Sequence, residues 1–261
     1  CEVCFDTGAG LTSLTRLRVT KCRSLQQMGD GISKLTQLKC LEAGNTGFTV
    51  LNISSKVGDL TGLQHLKLVN TNIPHTLVNI TSLETLFISH PSTAFSNLQK
   101  LSQLQYLSEL VLDSRTGYSL PTDLGDLQSL EHLILSCHYN SALADSITQL
   151  KRLQHMEIWD CTRLNSLPDD LGALSGLTHL TVNGGQYAED CSPSSAMGKA
   201  AIHRIPDSLG NLIKLQELVL QHCPLIGWLP YTIGSLQELV SLVVADCGEL
   251  EGIPSQVGCL T

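Results

Sequence analysis

Apolar residues recur along this chain at short, regular intervals in the pattern LxxLxxLxL. The pattern opens at Leu11, Leu14, Leu17 and Val19 and returns through almost the whole length of 261 residues. Its first apolar residue lies at Leu11, Leu35, Leu60, Ile80, Leu104, Leu127, Leu150, Leu174, Leu212, Leu236 and Leu260. The intervals are 23–25 residues, except for one of 20 and one of 38. Repetition at this period indicates a stack of similar units rather than one varied core.

Each repeat predicts one short strand followed by a return segment. In QHMEIWD, Met156 and Ile158 alternate with polar neighbours, which is the pattern of a half-buried strand. Because the units run in one direction, the strands must be parallel, and parallel strands need a crossover connection. A proline suits the first turn of a short helix there, and a glycine four residues later permits a tight bend. These positions are Pro168, Pro206, Pro230 and Pro254, with Gly172, Gly210, Gly234 and Gly258.

A unit of this size cannot bury its apolar side alone, so stacking creates a continuous leucine core. The predicted fold class is α/β: a leucine-rich-repeat solenoid (horseshoe), with a parallel β-sheet on the concave face and short helices or 3-10 turns on the convex face. We expect one domain over residues 1–261, with about ten repeats and truncated at both ends. In the eighth repeat, residues 186–201 form an insertion, either a surface loop or an island that contributes to binding.

Charge and motif content narrow the function. With 16 Lys and Arg against 24 Asp and Glu, the formal net charge of −8 gives no global support for binding nucleic acid or an anionic membrane. No apolar run approaches the roughly 18–20 residues of a membrane span. The sequence contains no Gly-rich phosphate loop, GxSxG or HExxH motif. We therefore predict that the chain is not an enzyme, needs no cofactor and does not insert into a membrane.

The ten cysteines do not suggest a disulfide framework, because several recur at one position of the repeat. These are Cys22, Cys161, Cys223 and Cys247, which we expect to be buried and unreactive. Cys1 and Cys4 have the spacing of half a zinc site, but no second pair follows, so no metal is predicted. Glycosylation sequons begin at Asn52 and Asn79, a number that chance explains. The pattern favours a reducing, cytoplasmic location, with an extracellular one as the alternative.

Residues that alternate with the inward apolar side chains should face the concave side and form the binding surface. The candidates are Arg16, Arg18, Lys21, Lys67, Phe87, Glu109, Asp113, His132, His155, Glu157, Trp159, Asp160, His179 and Glu217. Their polarity changes along the chain, from basic at Arg16 and Arg18 to acidic at Glu157 and Asp160. Such a change suits an extended partner with the opposite charge asymmetry.

Two features of this surface have both a functional and a plain interpretation. Phe87 and Trp159 should face solvent, as interface anchors do, although an exposed aromatic residue in ten repeats needs no special explanation. His132, His155 and His179 occupy the same strand position in three successive repeats. Imidazoles about 5 Å apart could bind a metal ion or respond to pH. We prefer the plainer interpretation, a polar row that solvent tolerates.

The units CTRLNSLPDDLGALSGLTHL, CPLIGWLPYTIGSLQELVSL and CGELEGIPSQVGCL resemble the leucine-rich-repeat region of plant intracellular immune receptors, the nucleotide-binding leucine-rich-repeat class. The resemblance lies in a cysteine at a fixed position followed by LxxLPxxLGxL. Plant receptor kinases of the cell surface typically have Asn at that position, followed by LxGxIP. The chain contains no nucleotide-binding module, so the resemblance covers only the repeat region.

This resemblance implies the sensor and autoinhibitory segment of a plant innate immune, or disease-resistance, receptor. Such a segment would bind a pathogen effector, a host protein or other domains of the same receptor through its concave face. Two alternatives stay open: the ligand-binding ectodomain of a receptor kinase, and a scaffold or adaptor such as the substrate receptor of a ubiquitin ligase. All three predict a protein partner, and none predicts nucleic acid as a partner.

Overall fold

The structure is a computed structural model that describes residues 2–3, 12–45, 49–113, 120–136, 140–160, 162–185 and 202–259. The chain divides into two compact units, Cys1–Leu130 and Glu131–Thr261, which we call unit 1 and unit 2. The predicted insertion at residues 186–201 and the repeated cysteine Cys161 lie outside the described residues.

Unit 1 is built on parallel strands that come from successive repeats. Its strands are β1 (Glu2–Val3), β2 (Arg16–Thr20), β3 (Gln27–Met28), β4 (Cys40–Gly44), β5 (Asn52–Ile53), β6 (His65–Val69), β7 (Thr85–Ser89) and β8 (Glu109–Asp113). The five-residue strands pair in the order β2, β4, β6, β7, β8, with Arg18 beside Glu42 and Lys67 beside Phe87. The two-residue strands β1, β3 and β5 form a separate parallel sheet.

Unit 2 repeats the same plan. Its strands are β9 (His132–Ser136), β10 (His155–Trp159), β11 (His179–Asn183), β12 (Glu217–Gln221) and β13 (Ser241–Ala245). They pair in parallel in chain order, and the register places His155 between His132 and His179. The pairing thus aligns equivalent positions of successive repeats.

Side chains alternate between the two sides of the five-residue strands, although Val111, an outward residue of β8, is itself buried. The second and fourth residues point to the core: Met156 and Ile158, predicted to be inward, are 0% exposed, and so is Leu133. In β2 and β13 the same positions are half-buried. The first, third and fifth residues lie on the opposite side, which we call the strand face and which corresponds to the predicted concave face.

The return segments contain short 3-10 helices, as predicted. In unit 1 they are η1 (Asp30–Lys34), η2 (Ser55–Asp59), η3 (Leu77–Asn79), η4 (Phe95–Asn97), η5 (Leu101–Gln103) and η6 (Leu124–Asp126). In unit 2 they are η7 (Asp145–Gln149), η8 (Leu171–Ala173), η9 (Asp207–Asn211), η10 (Tyr231–Ser235) and η11 (Ser255–Cys259). The predicted place of the prolines was wrong by one residue: Pro206 and Pro230 are extended and precede the first turn. Their carbonyls accept the first helical hydrogen bonds, from Leu209 and Ile233.

Two of the regularly spaced glycines, Gly172 and Gly210, are required by close packing of neighbouring segments and not by the predicted bend. A Cβ on Gly210 would lie 2.5 Å from the carbonyl oxygen of Thr232, in the following repeat. The backbone of Gly172 is covered in the same way by Ser208. These glycines therefore allow successive return segments to stack closely, which a side chain would prevent.

Candidate functional site

The strand face of unit 1 begins with an ion pair between neighbouring strands. Arg18 donates a hydrogen bond from Nη2 to Oε1 of Glu42 over 2.7 Å, while Arg16 in the same strand is exposed. This hydrogen bond lowers the pKa of the Glu42 carboxyl, and the charges of Arg18, Lys67 and Arg16 lower it further. It also raises the pKa of Arg18. The basic end predicted from the sequence is therefore partly neutralised by Glu42.

Beside this ion pair lies a cation held over an aromatic ring. The Nζ of Lys67 is 4.2 Å from the centroid of the Phe87 ring on the next strand, and both side chains are at least partly accessible. At another paired position of the same two strands, His65 Nδ1 lies 3.0 Å from Thr85 Oγ1. These strands border a depression of about 180 Å³. Its side-chain lining includes Cys40, Glu42, His65, Lys67, Thr85, Phe87, Glu109 and Val111.

At the carboxyl ends of β7 and β8, a serine, a histidine and an aspartate come together. Ser89 donates a hydrogen bond from Oγ to Asp113 Oδ2 over 2.7 Å, and its Oγ is 2.6 Å from His90 Nδ1. In a hydrolytic triad the aspartate holds one ring nitrogen while the other contacts the serine. Here both partners meet the serine hydroxyl, and Ser89 is 6% exposed. Asp113, a predicted binding residue, therefore accepts a hydrogen bond from Ser89 at the end of its strand. The sequence did not predict this cluster.

The three histidines of unit 2 form a continuous stack. The ring centroids of His132 and His155 are 4.4 Å apart with an interplanar angle of 12°, and those of His155 and His179 are 4.3 Å apart at 13°. Burial of His155, followed by the charges of His132 and His179, lowers its pKa. At the other end, His179 Nε2 is 3.9 Å from Glu217 Oε2. The predicted row is thus a set of rings in van der Waals contact.

Trp159 lies on the strand face and is paired with an acidic neighbour. The indole is 37% exposed, and its Nε1 donates a hydrogen bond to Glu157 Oε2 over 2.8 Å. Trp159 and Glu157 are two residues apart on one strand, so their side chains share a face. The structure confirms the outward register of Trp159 and adds its bond to the carboxylate.

Lys21 and Asp160 were assigned to the binding surface but do not lie on strands. Each directly follows its strand in the left-handed conformation, with φ values of 60° and 53°. His222 and Asp246 occupy the same position in unit 2 at 52° and 55°, and their Nε2 and Oδ2 atoms are 3.2 Å apart. This position therefore turns the chain out of the sheet, where Asn, Asp and His are more tolerant of positive φ than most residues.

The repeated cysteines do not share one environment. Cys223 is buried, as predicted, and Cys247 is half-buried, where burial raises the pKa of its thiol. The prediction was wrong for Cys22, which is exposed. The Cys223 and Cys247 thiols approach carbonyls of the preceding strands, at Val182 and Leu220, and the thiol of Cys22 approaches the carbonyl of Thr20 in its own strand. At Cys223 the buried thiol thus lies against the strand of the preceding repeat.

Two negative findings apply to the described part of the chain. It contains no cluster of three or more His, Cys, Asp or Glu side chains arranged to hold a metal ion. Its helices, which are three to five residues long, are all too short to cross a membrane.

No protein-family model matches the chain, and no curated protein matches it in sequence. Solved structures do match. The leucine-rich repeat domain of the type III effector XopL superposes with a TM-score of 0.68 at 23% identity, over 88% of this chain and 76% of that domain. Internalin C2 of Listeria monocytogenes superposes with a TM-score of 0.50 at 19% identity, over 90% of this chain and 82% of that one.

A third match is the plant peptide hormone receptor RGFR1, solved in complex with RGF2. The TM-score is 0.51 at 18% identity, over 94% of this chain, which spans 54% of the receptor chain. Together with the parallel strands and the short 3-10 turns, these similarities establish the leucine-rich-repeat solenoid fold that the repeat predicts.

Proposed function

We propose that the chain is a protein-recognition module that binds its partner through the strand face. The observation that supports this proposal is that, in each unit, the outward positions of regularly paired parallel strands present chemically varied side chains. In unit 1 these are Arg18, Lys67 and Phe87, and in unit 2 they are Glu157 and Trp159. Aromatic residues and arginine are the residue types that most often dominate binding energy at protein interfaces.

The rest of the face is consistent with recognition rather than chemistry. The serine, histidine and aspartate that meet at Ser89 lack the order of contacts that activates a nucleophile. The depression beside Phe87 is lined by mixed polar and apolar side chains from four neighbouring strands. A surface of this kind can contact several segments of an extended partner at once.

Site-specific photocrosslinking tests the proposal, with matched aromatic controls. A photoreactive phenylalanine analogue placed at Phe87 or Trp159 should crosslink the partner in cells that express the protein. The same analogue at Tyr106 or Tyr231, which are 69% and 72% exposed and lie off the strands, should not. Crosslinks to one protein at the tyrosine positions, without crosslinks from the strand face, would overturn the proposal.

At the finer level, we propose the sensor and autoinhibitory segment of a plant intracellular immune receptor, which binds a pathogen effector or a host protein. Support comes from the repeated cysteine followed by LxxLPxxLGxL. Cys22, Cys40, Cys223 and Cys247 all have free thiols, as expected in a reducing compartment. In a receptor that carries this segment, strand-face variants such as Phe87→Ala should trigger constitutive signalling, and unchanged signalling in such variants would contradict the autoinhibitory role.

One observation favours the receptor-ectodomain alternative. Asn52 and Asn79, which begin the two sequons, are both exposed and therefore accessible to glycosylation. Glycosidase treatment of the natively expressed protein, followed by mass spectrometry, separates the two locations. Loss of glycan mass at either asparagine supports the ectodomain, and an unmodified chain with reduced cysteines supports the intracellular sensor.

A further inference from the structure

The strand face of unit 2 has an unusual charge composition. Its five strands include the carboxylates Glu157 and Glu217 and contain no Lys or Arg. Both carboxylates belong to half-buried residues with accessible side chains. With neutral histidines, these strands present net negative charge to a partner.

The most exposed aromatic residue of this face adjoins one of the carboxylates. Trp159 donates its indole N–H to Glu157, so the ring and the carboxylate are held side by side. A π face next to a carboxylate is complementary to a guanidinium or ammonium group, which gains both a cation–π contact and an ion pair. The pair is therefore suited to an arginine or lysine side chain.

Protonation of the histidine stack can change the sign of the net charge on the strand face of unit 2. Around His155, the titratable groups are His132 and His179 on the adjacent strands and Glu157 on its own strand, while Glu217 faces His179. His155 Nδ1 is buried with no hydrogen-bond partner in the described structure, so a proton there would lack an acceptor. While the three rings are neutral, Glu157 and Glu217 give this face its negative charge. If all three rings were protonated, their three positive charges would exceed the two negative charges of the carboxylates and make the face positive.

We propose that the strand face of unit 2 binds a basic, arginine- or lysine-containing segment of the protein partner at neutral pH and releases it when the histidine stack is protonated. This inference rests on the proposed function, because it names the partner chemistry for the same face. Glu157 and Trp159 anchor the cation, Glu217 adds a second carboxylate, and the stack supplies the acid-sensitive repulsion.

Peptide binding to the intact chain tests the proposal. The probe is a short fluorescent peptide of alternating arginine and serine, with a glutamate–serine peptide as the charge-reversed control. We expect the basic peptide to bind at about pH 7.5 and to lose on the order of tenfold in affinity at about pH 5.5, a pH between the ordinary pKa ranges of glutamate and histidine. The acidic peptide should not bind at about pH 7.5.

Matched variants assign the effect to residues. Glu157→Gln should weaken binding of the basic peptide at about pH 7.5 by several-fold, whereas Glu238→Gln, an exposed carboxylate off the strands, should have no effect. His155→Gln combined with His179→Gln should preserve binding at about pH 5.5. Circular dichroism checks that each variant is folded. If the double variant unfolds, the single variant His179→Gln replaces it, and this variant should lose less affinity on acidification than the wild type.

The proposal is overturned if Glu157→Gln binds the basic peptide like the wild type, or if the loss at acid pH persists in the folded histidine variants. These failures are distinguishable from failure of the proposed function. If a partner crosslinks from Trp159 equally well at both pH values, strand-face recognition stands while the basic, acid-released segment is wrong.

Discussion

The Lys67 ammonium lies 4.2 Å from the centroid of the Phe87 ring, at directly paired positions of β6 and β7. The pair predicts a measurable coupling. A double-mutant cycle with Lys67→Met and Phe87→Leu should give a coupling free energy of about 0.5–1 kcal/mol, the range for cation–π contacts at exposed sites. Urea denaturation of the four proteins measures it, and strictly additive losses would contradict the contact.

The alternation within the strands predicts that the same substitution destabilises the protein by very different amounts at adjacent positions. Leu133→Asp or Leu180→Asp places an unpaired charge at a site that is 0% or 1% exposed and should lower the free energy of unfolding by several kcal/mol. The controls Ile134→Asp and Thr181→Asp introduce the same group on the strand face and should cost much less. Equal destabilisation at inward and outward positions, measured in urea, would refute the register.

Close stacking of the return segments predicts a strong effect at one glycine. Gly210→Ala forces a methyl group against the Thr232 carbonyl and should destabilise the protein by about 1–3 kcal/mol, as overpacking does. Gly248→Ala is the matched control, because nothing lies within 4 Å of a Cβ at that position. Thermal unfolding compares the two variants. An unchanged melting temperature for Gly210→Ala would show that the repeats can separate at no cost.

The histidine stack predicts a pH dependence of stability. Burial, together with the neighbouring rings, lowers the pKa of His155 in the folded protein, so the unfolded chain binds the proton more readily. The stabilising contribution is therefore complete above the unfolded pKa of about 6.5 and is lost as the pH falls below it. His155→Gln should reduce the slope of unfolding free energy against pH between about pH 7 and pH 5.

The control for that experiment is His75→Gln, at an exposed histidine of unit 1. This variant should keep the wild-type slope, since His75 is not part of the stack. A slope that is the same in all three proteins would show that the stack does not resist protonation.

At lower pH, the dependence of stability on pH is set in part by the ion pair between Arg18 and Glu42. The hydrogen bond from Arg18 lowers the pKa of Glu42, so this pair stabilises the fold above the ordinary glutamate pKa and the effect is lost as the pH falls through the lowered value. Arg18→Met should remove part of the stability at neutral pH and leave stability at about pH 3 almost unchanged. Equal losses at both pH values, by urea unfolding, would assign the effect of Arg18 to packing.

Much of the fold could be read from residues such as Met156 and Ile158, whose alternation with polar neighbours predicted an inward strand position. The same alternation correctly placed Phe87, Trp159 and the three histidines on the opposite side. The prolines and glycines were recognised as parts of the return path, but their exact roles were not. A residue type restricts the local backbone, whereas the neighbour that approaches it comes from another repeat.

The sequence by itself determined the repeat, the direction of its strands and which side of each strand is apolar, because these follow from local periodicity. Only the tertiary structure decided that Ser89 and His90 meet Asp113, that Glu42 neutralises Arg18, and that Cys22 is exposed while Cys223 is buried. Those outcomes depend on side chains about 20–40 positions apart in the chain. Their distances are fixed by the stacking of repeats, which local periodicity does not encode.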